Sequence, residues 1–253
     1  MKQLTEQQIV DNWNKLMKLI DDTFVDTDDN ERHTKLREMY DYFEDRMMMA
    51  PASGTAHFHN AHIGGYVEHV LHIIKISKRL FELYKELGSH IDYTEEEVIF
   101  AAMHHDLGKV GDLDTDYYVP NDSNWHVQNR GEYFKRGEGL NYMTVTDRAI
   151  WLLQHFDIKM TEKEYLALRL TDGLYEEANK SYLMSYNPGN KLRTNIPYLL
   201  HEADMLASRI EHENWVHSQD KDKPKSTPRT KVQVKKEKEQ VDNLKEKFNE
   251  LFA

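Results

Sequence analysis

His105 and Asp106 are neighbours at the end of an apolar run, Val98-Ile99-Phe100-Ala101-Ala102-Met103. A carboxylate carried into apolar surroundings is costly unless it pairs or binds a cation. Successive side chains on a helix diverge by about 100°, so both groups can reach one ion beside a helix end. Gly108 lets the backbone approach that ion closely, and Lys109 sets a positive charge beside it. A second imidazole, His69, follows Gly64-Gly65, and a second carboxylate, Asp204, stands among Leu200, Ala203 and Ala207. Neutral imidazoles with carboxylates suit Mn, Fe, Co, Ni or Zn, with Mg also admissible. Such a metal lowers the pKa of water and polarises a phosphoryl oxygen. The expected centre is one divalent transition metal on His69, His105, Asp106 and Asp204. Asp106 and Lys109 are the expected catalytic residues, Asp106 bridging metal and water and Lys109 stabilising charge on a phosphate.

Other residues have the chemistry to hold a substrate. His59 and His62 precede the His69 segment and are pocket candidates, although an ordinary loop role is the plainer reading. Arg130 and Lys135 stand near Trp125, Tyr133 and Phe134. Cations interleaved with aromatics can hold a phosphate and stack a base; a solvated loop with packing aromatics is the plainer reading.

These groups need helices to position them. Ile9, Trp13, Leu16, Met17 and Ile20 recur at helical spacing, as do Leu36, Met39, Tyr40, Phe43 and Met47. A third helix is expected from about Gly65 to Leu87, stopped by Gly88. Thr94-Glu95-Glu96-Glu97 is a capping-box signature, and it opens the helix that delivers His104, His105 and Asp106. Residues 111–141 read as a long irregular loop, of the kind that often carries function. Helices are expected again at Thr146–His155, at Thr161–Asp172 and from Pro197 onward. The chain therefore divides into N-terminal helices (1–50), a metal-binding helical domain (51–216), a Lys- and Pro-rich linker (217–233) and a charged amphipathic helix (234–253). On that last helix Val241, Leu244, Phe248 and Leu251 form an apolar stripe, which a second copy of the chain or a partner protein is expected to cover.

Composition narrows the function. The formal net charge is −11, from 44 acidic and 33 basic residues, which disfavours tight generic binding to nucleic acid. No cysteine is present, so disulfides, thiolate nucleophiles and Cys-based zinc sites are excluded. No long apolar run marks a membrane span, and the N-terminus turns polar at once. A cytoplasmic protein without membrane contact is expected.

Gly64-Gly65-Tyr66-Val67-Glu68-His69, then His104-His105-Asp106-Leu107-Gly108-Lys109, then Glu202-Ala203-Asp204-Met205-Leu206-Ala207 resemble the HD-domain superfamily over about residues 57–215. The resemblance implies an all-α bundle around a metal and hydrolysis of a nucleotide phosphoester. Within the superfamily the wording is most similar to exoribonucleases and relaxase-associated hydrolases, many of which carry two further histidines for a second metal. Here Val145 and Thr171 stand where those histidines are expected, so one metal is anticipated, with His126 and His155 as substitutes that nothing local favours. A nucleotide or deoxynucleotide is the expected substrate. The alternatives are a degenerate HD domain that binds a nucleotide or a partner protein without turnover, and an exonuclease acting at a 3′ end.

Overall fold

Helices form where the apolar spacing places them in a computed structural model, which describes residues 4–222. Helix α1 (Glu6–Thr23) opens on Thr5, whose hydroxyl accepts the Gln8 N–H at 3.2 Å while the Gln8 side chain accepts the Thr5 N–H at 2.9 Å. This reciprocal cap satisfies donors that a helix start leaves open. The buried stripe of α1 is Trp13, Leu16, Met17 and Ile20. Helix α2 (Arg32–Met49) buries Leu36, Met39, Tyr40, Phe43 and Met47. Helix α3 (Gly65–Glu86) buries Val70, Ile73, Ile74 and Phe81 together with His69.

Helix α4 (Glu95–His104) starts on the Thr94–Glu97 capping box, with the Glu97 N–H donating to the Thr94 hydroxyl at 3.1 Å. It is buried from Val98 through His104. A helix apolar on every side belongs in the middle of a bundle, and α4 packs between α3 and α7 (Glu162–Arg169). A single 3₁₀ turn, Leu107–Val110, follows and packs against α6 (Val145–His155). The short α8 (Lys180–Leu183) precedes α9 (Ile196–Asp222).

The fold is all-α. The one sheet among the described residues pairs β1 (Tyr118–Pro120) with β2 (Phe134–Arg136), antiparallel, with Val119 opposite Lys135. Between them lies α5 (Asn124–Arg130), which buries no residue. The stretch read as an irregular loop thus contains a small ribbon and a surface helix. Three-residue strands are too short to display a period of two.

Helices α1 and α2 share one core with the rest: Trp13, Tyr40 and Phe43 belong to the same apolar cluster as Phe100, Leu152 and Leu200. The compact unit runs to Val216. Helix α9 continues to Asp222, so residues 217–222 are helical where a linker was expected. The chain meets no helix breaker there until Pro224, and a proline ends helices near the residue before it. The remainder of the expected linker and the amphipathic helix 234–253 lie outside the described residues. No helix among those described is long and apolar enough to cross a membrane.

Candidate metal centre

Three helices converge on one point. α3 supplies His69 and His72, the end of α4 supplies His105 with Asp106 just beyond it, and α9 supplies Asp204 and Glu211. Asp204 and Glu211 are two turns apart, hence on one face. Two close approaches set the register of these parts. A Cβ on Gly65 would stand 2.1 Å from the Asn60 carbonyl oxygen, so the loop carrying His59 lies directly on the start of α3. A Cβ on Gly108 would stand 2.0 Å from the Val145 carbonyl oxygen, so α6 rests on the turn that carries Lys109.

Hydrogen bonds decide which ring nitrogens face the centre. The His69 Nδ1–H donates to Glu211 Oε2 at 2.9 Å, because a carboxylate only accepts. The His105 Nδ1–H donates to the Ala102 carbonyl at 2.9 Å for the same reason. Both Nε2 atoms therefore carry lone pairs when the rings are neutral, and both are buried without a hydrogen-bond partner. His69 Nε2 lies 3.7 Å from Asp106 Oδ2 and 3.6 Å from Asp204 Oδ1, and His105 Nε2 lies 3.4 Å from Asp106 Oδ2. These separations exceed good hydrogen bonds. The 3.4 and 3.6 Å separations match, and the 3.7 Å one slightly exceeds, the roughly 3–3.6 Å between donor atoms that are each about 2.0–2.2 Å from a shared cation. The donor atoms of His69, His105 and Asp204 all fall within 4.8 Å of one another, as do those of His59, His69 and Asp106. The residues fit a divalent metal, and His59 joins the expected set as a further ligand candidate.

The electrostatics agree. Burial opposes charge on His69, yet Asp204 and Glu211 overcome it and hold the imidazolium up to about 10. Burial also opposes ionisation of Asp204, but His69 and His105 hold it down to about 2. Asp106 is kept far below the usual carboxylate range against burial, chiefly by Lys109 and then His105. A pocket that stabilises buried positive charge this strongly favours a metal cation for the same Coulombic reason. His59 is pushed down to about 3 by burial, with His69 and Lys109 adding to it, so it is neutral, the form that ligates.

Lys109 Nζ donates to Asp106 Oδ2 at 2.6 Å, its one hydrogen-bond partner among the described residues. His62 is elsewhere: its Nδ1–H donates to the Ile63 carbonyl at 3.1 Å and its Nε2 lies 3.3 Å from Glu68. Arg130 stacks over Trp125 at 5.2 Å and pairs with Glu132. Lys135 pairs with Asp122 and Glu138. The structure brings neither of these two cations to the cluster. His104 turns into the core beside Tyr40 and Phe100, and burial pushes it down to about 3. Val145 has no side-chain donor atom and its carbonyl lies against the turn at Gly108, and Thr171 is buried. Among the described residues neither His126 nor His155 joins a group able to hold a metal.

Two residues at the site escape the motif reading. Glu211 clamps His69 and also accepts from His72 Nδ1 at 2.7 Å; its spacing from Asp204 and the His69–His72 spacing were the available signals. Asp172 accepts from the Thr146 hydroxyl at 3.3 Å, and burial followed by the Asp106 charge raises its carboxyl. Its neighbour Thr171 accepts from His201 Nδ1 at 2.7 Å, which ties this segment to α9. Comparisons with family models, curated proteins and solved structures returned no match.

Proposed function

We propose that this chain is a metal-dependent phosphohydrolase of the HD type, cleaving the phosphoester of a nucleotide or deoxynucleotide. One observation carries the reading. Two buried imidazoles, each with Nδ1–H already committed, aim unpartnered Nε2 atoms at two carboxylates beside a lysine.

His69, His105, Asp106 and Asp204 are the proposed ligands, with His59 adjoining them. A divalent transition metal bound there supplies Lewis acidity, lowering the pKa of water and polarising a phosphoryl oxygen. The protein's own groups do the rest. Glu211 holds the His69 ring in orientation and tautomer, as carboxylates behind metal-binding histidines do. Lys109 has three N–H donors and gives one to Asp106, so two remain for a phosphate oxygen as charge develops. Asp172, held by Thr146 and raised by burial and the Asp106 charge, is the proposed acceptor of the proton that water releases on attacking phosphorus.

The test is elemental analysis of the purified chain with phosphate release across a nucleotide panel in Mn, Co, Ni and Mg. One metal per chain and metal-dependent release are expected. A chain that holds no metal with the ligands intact overturns the reading. Stoichiometric metal without release from any phosphoester returns it to a binding domain without turnover.

A further inference from the structure

A cavity of about 280 Å³ is lined by Lys109 and by none of the imidazoles, between the end of α2, the loop after it and the β1–β2 ribbon. Lys109 is shared: its ammonium touches Asp106 and its side chain lines the cavity. The walls are Tyr117, Tyr118 and Phe134, with Met49 and Ile63 at an open rim. Tyr117 and Tyr118 pack edge to face on each other at 88°, centroids 4.8 Å apart, which fixes the two rings relative to one another. A Cβ on Gly54 would stand 2.8 Å from the Phe134 carbonyl oxygen, so the loop after α2 closes tightly on the ribbon and holds the aromatic wall in place.

Charge indicates which part of a substrate enters. Arg46 lines the cavity, but its guanidinium is spent on the Asp112 and Leu113 carbonyls and on Asp116 at 2.7 Å. Asp116 is neutralised in that pair, Lys109 Nζ is paired with Asp106, and Asp45 brings the carboxylate in the lining that stands outside these pairs. Apart from Lys109 at its border the lining leaves no cation to hold a phosphate, whereas an uncharged ring bearing amino donors can meet the Asp45 carboxylate. The volume of about 280 Å³ lies just below the range of ligand pockets, roughly 300–1,000 Å³, and suits one ring system rather than a polymer.

We infer that this cavity is the base subsite, holding a planar amino-bearing heteroaromatic ring between Ile63 and the Tyr117–Tyr118–Phe134 wall while Lys109 marks the border with the phosphate. The inference rests on the phosphoester reading of the metal cluster for the position of the phosphate. It also moves base recognition from Trp125, Arg130 and Lys135 to the ribbon and the end of α2.

The experiment titrates adenosine, guanosine, cytidine and ribose into the full metal-loaded chain by calorimetry. At least one nucleoside should bind ten-fold or more tightly than ribose. Ile63→Trp, which fills the rim, and Phe134→Ala, which removes a wall, should each weaken it ten-fold or more, with metal content and the circular dichroism spectrum serving as controls for folding. If no nucleoside outbinds ribose, or if both folded variants bind as the parent does, the subsite is wrong. If the nucleoside binds and both variants weaken it while no nucleotide releases phosphate, the subsite stands and the hydrolytic reading falls.

Discussion

Charge is buried near both ends of α4, with opposite consequences. Near its start Arg32 lies over the rings of Phe24 and Phe100, at 5.2 and 4.2 Å, and is ion-paired with the buried Glu164. The second Glu164 oxygen accepts the Thr161 N–H at 2.8 Å, so both carboxylate oxygens are used within the protein. Beyond the other end, the His69 and His105 Nε2 atoms have no hydrogen-bond partner and face two carboxylates. Burial wins at the first cluster, pushing Glu164 up to about 7 against the pull of Arg32. Multiple opposite charges win at the second, where Asp204 sits at about 2. The first cluster uses both carboxylate oxygens within the protein, although Arg32 Nε has no hydrogen-bond partner; the second leaves two imidazole nitrogens open to a ligand.

The sharpest way to break this contrast is Asp106→Ala. It should abolish both metal binding and phosphate release while the helical circular dichroism signal persists; metal retained in elemental analysis would count against the cluster as a metal centre. Arg32→Met should do the reverse. Removing one partner of a buried pair leaves the other uncompensated, at a cost of about 3–5 kcal/mol. Urea unfolding should show that loss, with metal stoichiometry unchanged in the folded protein.

Glu211→Gln separates ligands from their support. It keeps the size of the side chain but weakens the clamp on His69, so metal affinity should fall about 10–100-fold while the unfolding midpoint moves little. An unchanged affinity by chelator competition would show that the clamp is structural.

A pH series distinguishes the clusters further. The Glu164 carboxyl, ordinarily at 4.5, is raised to about 7 in the folded chain, so the folded state binds this proton more tightly than the unfolded one. Its contribution to stability is complete below pH 4.5 and is lost as pH rises through about 7. Glu164→Gln should flatten that part of the urea-unfolding profile; a profile identical to the parent's would contradict the assignment. The smallest effect expected is at the cap of α4. Thr94→Ala should cost about 0.5–2 kcal/mol in urea unfolding and leave metal stoichiometry unchanged.

Much of the architecture is legible in local spacing. α1, α2 and α3 lie where their apolar stripes recur, and the Thr94–Glu97 cap is present as its residues indicate. The ribbon in residues 118–136 was not legible, because its pairing depends on a partner strand rather than on a repeating pattern. The same is true of Asp172: nothing in Leu170-Thr171-Asp172-Gly173 says that Thr146 holds it or that the Asp106 charge acts on it.

What the sequence by itself determined is the set of donors and the helices that bear them: His69 on α3, His105 and Asp106 at the end of α4, Asp204 on α9. Helical periodicity is a short-range property, so each residue's place on its own helix follows from its neighbours alone. Only the tertiary structure decided which donors meet. It placed Glu211 behind His69, drew His59 into the cluster, turned His104 into the core and left Arg130 and Lys135 on surface ion pairs. Those outcomes depend on how three helices and two loops pack across long sequence separations, through contacts such as Gly65 on Asn60 and Gly108 on Val145. Close packing leaves such contacts little freedom, and no local pattern encodes them.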